Sequence, residues 1–251
     1  MHPALASTRP LVFAHRGGSQ LAPENTIPAF DRGLAAGADG LELDVHLSRD
    51  GFVIVHHDRL LDRTTRATGP VRSRTAAELA ALDVPTLRDV LGRYAQARVI
   101  IELKEPAADL ARGVVAEVQR ARAVERVCLG SFSVRALRAA RAMDPSVATS
   151  AGGLEVRFAL YRSWINLSPG RPPYQAFQVP ETSGVTRVVS PRFVRLAHKA
   201  GVMVQVWTVD EPDDIRRLLD WGVDGIISDR PDVAVNVVED WVARQAIVDR
   251  R

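Results

Sequence analysis

Residues 41–58 read LELDVHLSRDGFVIVHHD: two extended runs rich in aliphatic residues, separated by Asp50-Gly51. Asp-Gly between such runs is the strongest short hairpin signal, and no room is left for a helix between them. The second run is therefore expected to fold back antiparallel on the end of the first. With Asp50 and Gly51 as a two-residue loop, Arg49 faces Phe52, and counting outward sets Asp44 opposite His57. Directly paired residues share a face with Cβ atoms about 5 Å apart, so this register predicts an acid–imidazole contact.

On either side of this segment the chain has a different rhythm, short β-branched runs each followed by a helical pattern, as parallel strands with crossover helices require. Eight strands are expected, at Leu11–Ala14, Gly40–Val45, Val99–Leu103, Val127–Ser131, Val147–Ser150, Ala176–Val179, Val202–Trp207 and Gly225–Ser228. Helices are expected at Ile27–Ala36, Ala107–Ala121, Val134–Met143, Leu154–Trp164, Pro191–Ala200, Asp213–Trp221 and Val233–Ala243, with a helical pair near Thr75–Leu82 and Thr86–Ala95. Ser190-Pro191 is a cap followed by proline at the first helical position, and Gly201 and Gly222 are helix stops. No G-x-G-x-x-G follows a strand, which argues against an open dinucleotide-binding sheet. The fold expected is α/β, a (β/α)8 TIM-type barrel with a β-hairpin and short helical insertion after strand two. Residues 1–251 are expected to form one domain, with the insertion at about 46–96.

The 251 residues are 46% apolar and 25% charged, ordinary for a globular protein with a sizeable core. No run approaches the roughly 20 apolar residues of a membrane span, and Met1–Pro10 lacks the sustained apolar stretch of a signal peptide. A cytoplasmic protein with no transmembrane segment is the expectation. Cys128 is the only cysteine, which leaves no internal disulfide and reads as a core residue. The net charge is +3, and arginine is scattered along the chain with no basic block carrying interleaved aromatics, so nucleic acid is not an expected partner. Nothing in the sequence specifies an oligomeric state. Lys104 and Lys199 are the only lysines in this arginine-biased chain.

Barrel enzymes carry their chemistry at the carboxyl ends of the strands. Here His15-Arg16 closes strand one, Glu42 and Asp44 close strand two, and Glu102 and Lys104 close strand three. Strand alternation puts Glu42 with Asp44 on one face, and likewise Glu102 with Lys104. Three carboxylates converging from adjacent strands make an oxygen-rich site suited to one hard divalent cation, Mg²⁺ or Ca²⁺. Arg16 can hold a phosphoryl group bidentately and Lys104 as a point charge. Two imidazoles with ordinary pKa near 6.5 suit acid and base roles at neutral pH, so the set fits in-line displacement at phosphorus. His56 alternates away from His57 and is expected to be structural. His46 is expected at the rim, and His2 and His198 have no acidic company in the sequence.

The segments HRGGSQLAPENT (15–26), DGLELDVHLSRDGFVIVHHD (39–58), LDRTT (61–65), PTLRDVL (85–91), IIELK (100–104), GSFS (130–133) and AHKAGVMVQVWTVDEPDDIRRLLDWGVDGIISDRP (197–231) together resemble the glycerophosphodiester phosphodiesterases, in the family's order. The resemblance implies hydrolysis of a small-molecule glycerophosphodiester to sn-glycerol 3-phosphate and an alcohol. It makes His15 and His57 the acid–base pair, Glu42, Asp44 and Glu102 the metal ligands, and Arg16 and Lys104 the phosphate contacts. Trp207 resembles the family tryptophan lining the glycerol side of the pocket, and Glu24 a residue standing behind the ligands. Two departures are a short segment between Arg59 and Tyr94 and Asp210 in WTVDEP, where the family often has asparagine.

Three other readings stay open on the sequence. A lysophospholipase D or sphingomyelinase D type enzyme would use an internal hydroxyl and give a cyclic phosphate from the same barrel and metal. A non-catalytic phosphate-ligand binding barrel would not need a chemically competent residue at each position. A metal hydrolase of amides or esters would recruit histidine ligands, where this site offers carboxylates.

Overall fold

The computed structural model describes residues 1–248. In chain order the elements are β1 (Leu11–Ala14), α1 (Ile27–Ala35), β2 (Gly40–Leu47), β3 (Val53–Val55), α2 (Ala76–Ala80), α3 (Leu87–Arg93), β4 (Arg98–Leu103), α4 (Ala108–Arg120), β5 (Val127–Gly130) and α5 (Val134–Met143). They continue with β6 (Ala148–Thr149), α6 (Gly153–Trp164), β7 (Ala176–Pro180), β8 (Thr182–Ser183), β9 (Thr186–Arg187), α7 (Pro191–Lys199), β10 (Met203–Trp207), α8 (Pro212–Asp220), β11 (Gly225–Ser228) and α9 (Pro231–Val248). The main sheet runs β6-β5-β4-β2-β1-β11-β10-β7, each neighbouring pair parallel. Its two ends meet where Gln175 N donates to Thr149 O (2.9 Å) and Ala151 N to Ala176 O (2.8 Å). The result is a nearly closed barrel of eight parallel strands, the TIM-type architecture expected.

Alternation along the strands separates two apolar layers. Leu41, Leu43 and Val45 of β2 and Val99, Ile101 and Leu103 of β4 point outward and pack with α3, α4 and α5 in one cluster. Phe177, Val179, Val204, Val206 and Ile226 do the same beneath α6 to α9 in a second. The opposite set points into the barrel. Leu11, Phe13, Ile100 and Ile227 fill its middle, and Ala4 and Leu5 close its lower end against Cys128, Ala148 and Ala176. Cys128 is the core residue expected, its thiol pushed up to about 12 by burial. With the middle and bottom filled, the same alternation leaves Glu42, Asp44 and Glu102 at the open upper end.

Helix ends follow their caps. Ser190 Oγ accepts from Phe193 N (3.2 Å) ahead of Pro191, and Thr75 with Glu78 and Thr86 with Asp89 form capping boxes on the helical pair. The β8–β9 hairpin, with Gly184-Val185 at its tip, was not anticipated.

The register of the other hairpin corrects the sequence reading. Val45 pairs with Val55, His46 with Ile54 and Leu47 with Val53, so Asp44 lies opposite His56, whose N donates to Asp44 O (2.9 Å). The loop holds three residues, Arg49 to Gly51, with Gly51 at φ +85. Such loops place a left-handed glycine last, a form as compatible with Asp-Gly as the two-residue turn. His198 also departs from expectation: its Nε2 lies 2.8 Å from Asp224 Oδ2, and that carboxylate takes Val204 N at 2.7 Å, pinning α7 to the start of β11.

Candidate active site

A cavity of about 460 Å³ opens at the carboxyl ends of the strands and brings together His15, Arg16, Glu42, Asp44, His57, Glu102, Lys104 and Trp207. Every catalytic, metal and phosphate position expected from the sequence lines it. Glu24 is outside the cavity lining, with Arg16 Nη1 at 3.0 Å.

Each imidazole is backed by a carboxylate. His15, in a tight turn after β1, has Nδ1 at 2.6 Å from Asp229 Oδ1, and its Nε2 is 3.8 Å from Glu42 Oε2. Asp229 follows β11, and Asp210 fixes that loop by accepting from Ser228 Oγ and Asp229 N, both at 2.8 Å. His57 has Nδ1 at 2.6 Å from Asp58 Oδ1. The chain leaves β3 after Val55, and this bend, not ladder pairing, turns His57 into the cavity. His56 is buried with Nε2 on Leu60 O (3.2 Å), structural as expected. His46 is not at a rim: it is buried, with Nε2 on His57 O (3.0 Å) and Nδ1 facing Glu105 (3.1 Å), where it buttresses the His57 backbone.

The charges form one connected array. Arg63 grips Glu24 with both terminal nitrogens (2.8 and 2.7 Å) and Asp58 with Nε (2.6 Å), so ion pairs run from Arg16 through Glu24 and Arg63 to Asp58, which hydrogen-bonds His57. Asp44 Oδ1 meets Lys104 Nζ at 3.0 Å, and its Oδ2 accepts from Asn25 Nδ2 at 2.9 Å. Glu42 Oε2 accepts from Arg16 N at 3.0 Å.

Electrostatics follow from this layout. Burial, reinforced by Asp44, pushes Glu42 up to about 7. Burial drives Glu102 up to about 8, against the pull of Lys104 and with the push of Asp44 and Glu42. Asp44 is also buried, yet Lys104, Arg16 and His57 outweigh burial and hold it below its ordinary value. Burial works to lower His15, but Glu42 and Asp229 prevail and the ring is raised. His57 is lowered, because burial, Lys104 and Arg16 outweigh Asp44 and Asp58.

Two buried side-chain atoms in the described residues lack any hydrogen-bond partner, Arg16 Nε and Glu102 Oε1, and both residues line this cavity. Arg16 Nε is 3.4 Å from Asp44 without the geometry of a hydrogen bond. An orphaned donor and an orphaned acceptor in one cavity suit an anion and a cation bound together. Glu102 is held close: a Cβ on Gly130 would lie 2.7 Å from Glu102 Oε2, so only glycine leaves the carboxylate its place. Among the described residues no three His, Cys, Asp or Glu side chains stand gathered as a ready metal-holding group. Asp44 is turned toward Lys104, Arg16 and Asn25, and Glu42 toward the Arg16 backbone. The donor chemistry still fits a hard cation, since all three candidates offer oxygen and Glu102 Oε1 is unspent.

Asp58, Asp229, Asn25 and Arg63 were not singled out in the sequence. Asp229 could have been, because it directly follows the last barrel strand with the inward parity of Ile227, the criterion already applied to strands one to three. Trp207 lines the cavity and also packs edge-on against Phe132, with ring centroids 6.0 Å apart.

The glycerophosphoryl diester phosphodiesterase family matches residues 15–233. A glycerophosphodiester phosphodiesterase of Caldanaerobacter subterraneus is 32% identical, covering 91% of this chain and 97% of that protein. A solved structure from Silicibacter pomeroyi superposes with a TM-score of 0.82 at 28% identity, covering 96% of this chain and 98% of that one. The glycerophosphodiester phosphodiesterase of Agrobacterium tumefaciens gives 0.74 at 30% identity, with 90% and 99% covered. On the match across most of its length, taken with the barrel and the placement of the quoted motifs around one cavity, the chain belongs to the glycerophosphoryl diester phosphodiesterase family.

Proposed function

We propose that the protein hydrolyses a glycerophosphodiester to sn-glycerol 3-phosphate and an alcohol, with His15 and His57 exchanging protons and one divalent cation, Mg²⁺ or Ca²⁺, held by Glu42, Asp44 and Glu102. The observation that carries this reading is the pair of orphaned buried atoms, Arg16 Nε and Glu102 Oε1, a donor awaiting an anion beside an acceptor awaiting a cation. When bound, the cation supplies Lewis-acid stabilisation of charge on the phosphoryl oxygens.

The chain's own groups do the rest. Arg16 and Lys104 orient the phosphoryl oxygens from the side of β1 and β4. Asp229 and Asp58 engage Nδ1 of His15 and His57, which fixes each ring and leaves Nε2 as the atom that takes or gives the proton. The array from Arg16 to His57 ties phosphate position to imidazole position, so neither drifts alone. Trp207 forms an apolar wall for the carbon skeleton of the glycerol.

The test is an assay of glycerophosphocholine and glycerophosphoethanolamine with Mg²⁺, with Ca²⁺ and after chelation, the products followed by phosphorus NMR. Turnover to glycerol 3-phosphate that stops on chelation is the expected result. A stable cyclic phosphate product would replace hydrolysis by internal transfer. His15→Ala and His57→Ala are each expected to lower the rate by about 10² to 10⁴.

A further inference from the structure

One wall of the cavity is unlike the rest of the molecule. On α6 and just beyond it, Leu154, Phe158, Tyr161 and Ile165 recur at spacings of four, three and four residues, which is one stripe of a helix, and all four side chains are exposed. A solvent-facing apolar stripe inverts what a barrel helix normally shows. Trp164 packs at a tilt against Tyr161 with centroids 5.1 Å apart and is also exposed. Across the mouth, the β8–β9 hairpin carries Val185 at its tip, at 106% relative exposure. Tyr161, Trp164, Ser183 and Thr186 line the cavity, so this apolar rim is continuous with the proposed active site.

Arginine dominates the charge around the rim. Arg157 and Arg162 flank the stripe on α6, with Arg162 lying over the Phe158 ring at 5.5 Å. Arg195 reaches Asn166 at 3.4 Å, just past the helix. Between Val156 and Val209 the sequence has a single carboxylate, Glu181, and Arg217 grips it with two bonds of 2.6 and 3.0 Å. Glu155, at the start of α6, is likewise held by Arg141. Among the described residues, the carboxylates nearest the stripe in sequence, Glu155 and Glu181, are both held by arginine, and arginines border it on α6.

We propose that the α6 and β8–β9 rim docks on an anionic lipid surface, with the cavity mouth facing the head groups. Aromatic and aliphatic side chains on one face, bordered by arginine, are the composition that seats a helix in the interfacial plane. Arginine then meets lipid phosphates while Tyr161 and Trp164 lie at head-group depth. A second copy of the chain would bring like charge against like charge across the same face, which disfavours it as the occupant. This inference goes beyond the proposed reaction and does not rest on it.

The experiment is co-sedimentation of the full chain with vesicles of equimolar phosphatidylglycerol and phosphatidylcholine, and with pure phosphatidylcholine vesicles. Binding to the anionic vesicles, weakened by salt, is expected. Ile165→Asp and Val185→Asp lie outside the proposed machinery, at 69% and 106% exposure, and leave turnover of a soluble diester unchanged. Each is expected to lower anionic vesicle partition by about tenfold or more. Failure to bind either vesicle overturns the proposal, as does binding that both variants leave intact. Self-association without lipid that the variants abolish also overturns it, and gives the face to a second copy.

Discussion

Gly130→Ala tests whether Glu102 is held where the reaction needs it. A Cβ there would sit 2.7 Å from Glu102 Oε2, 3.1 Å from Gln178 Oε1 and 3.6 Å from Ser150 Oγ. An ordinary carbon–oxygen contact is longer than the first of these by roughly half an ångström, so the carboxylate must swing away or β5 must shift. All three atoms are the ends of side chains that can give way, so the stability cost stays at the low end of overpacking, about 1 kcal/mol, or a melting temperature lower by about 2–4 °C in a chain of this length. The larger effect is on chemistry, because misplacement by an ångström costs about 10²-fold, and a half-ångström shift of one ligand is expected to cost about tenfold or more in kcat/KM. Steady-state kinetics well below the melting transition separate the two losses, and affinity for the divalent cation should fall in parallel. Gly92→Ala in α3 is the control: nothing lies within 4 Å of its Cβ, so it should raise stability slightly with activity unchanged. If Gly130→Ala kept kcat/KM within twofold of wild type, Glu102 would not be doing what we assign to it.

Asp229→Asn keeps a partner for His15 but removes the charge behind it, and kcat should fall by about 10²-fold or more with KM little changed. Wild-type kcat in that variant would refute Asp229 as a positioning residue. Glu102→Gln removes a buried carboxyl that burial already pushes up to about 8, so the metal-free protein should melt no lower while cation-dependent activity is lost. A marked fall in the metal-free melting temperature would show that the carboxylate serves stability instead. His198 is raised by its bond to Asp224, so it contributes stability that is whole below its unfolded value near 6.5 and lost as pH rises through the raised folded value. The melting-temperature gap between wild type and His198→Gln should accordingly be widest at about pH 5.5 and close by about pH 9. A gap that widened with pH would refute the pairing.

Much of this was legible from local pattern. Period-two alternation assigns Leu41, Leu43 and Val45 to one side of β2 and Glu42 and Asp44 to the other, whatever the rest of the chain does, because successive side chains in a strand oppose one another. The same rule paired Glu102 with Lys104, and caps such as Ser190-Pro191 marked helix starts from neighbouring residues alone. The hairpin shows where such reasoning stops: Asp50-Gly51 announces a turn, but a loop one residue longer uses the same dipeptide, and the choice moves the partner of Asp44 from His57 to His56. Only barrel closure brings Asp229 to His15 across 214 residues, puts Arg63 between Glu24 and Asp58, and leaves Arg16 Nε and Glu102 Oε1 without partners in one cavity. Local sequence sets which way a side chain points, because that is fixed by backbone period and caps. Which side chain it meets is fixed by the packing of distant segments, and the exposed stripe on α6 declares itself only once the barrel shows which face the other elements leave uncovered.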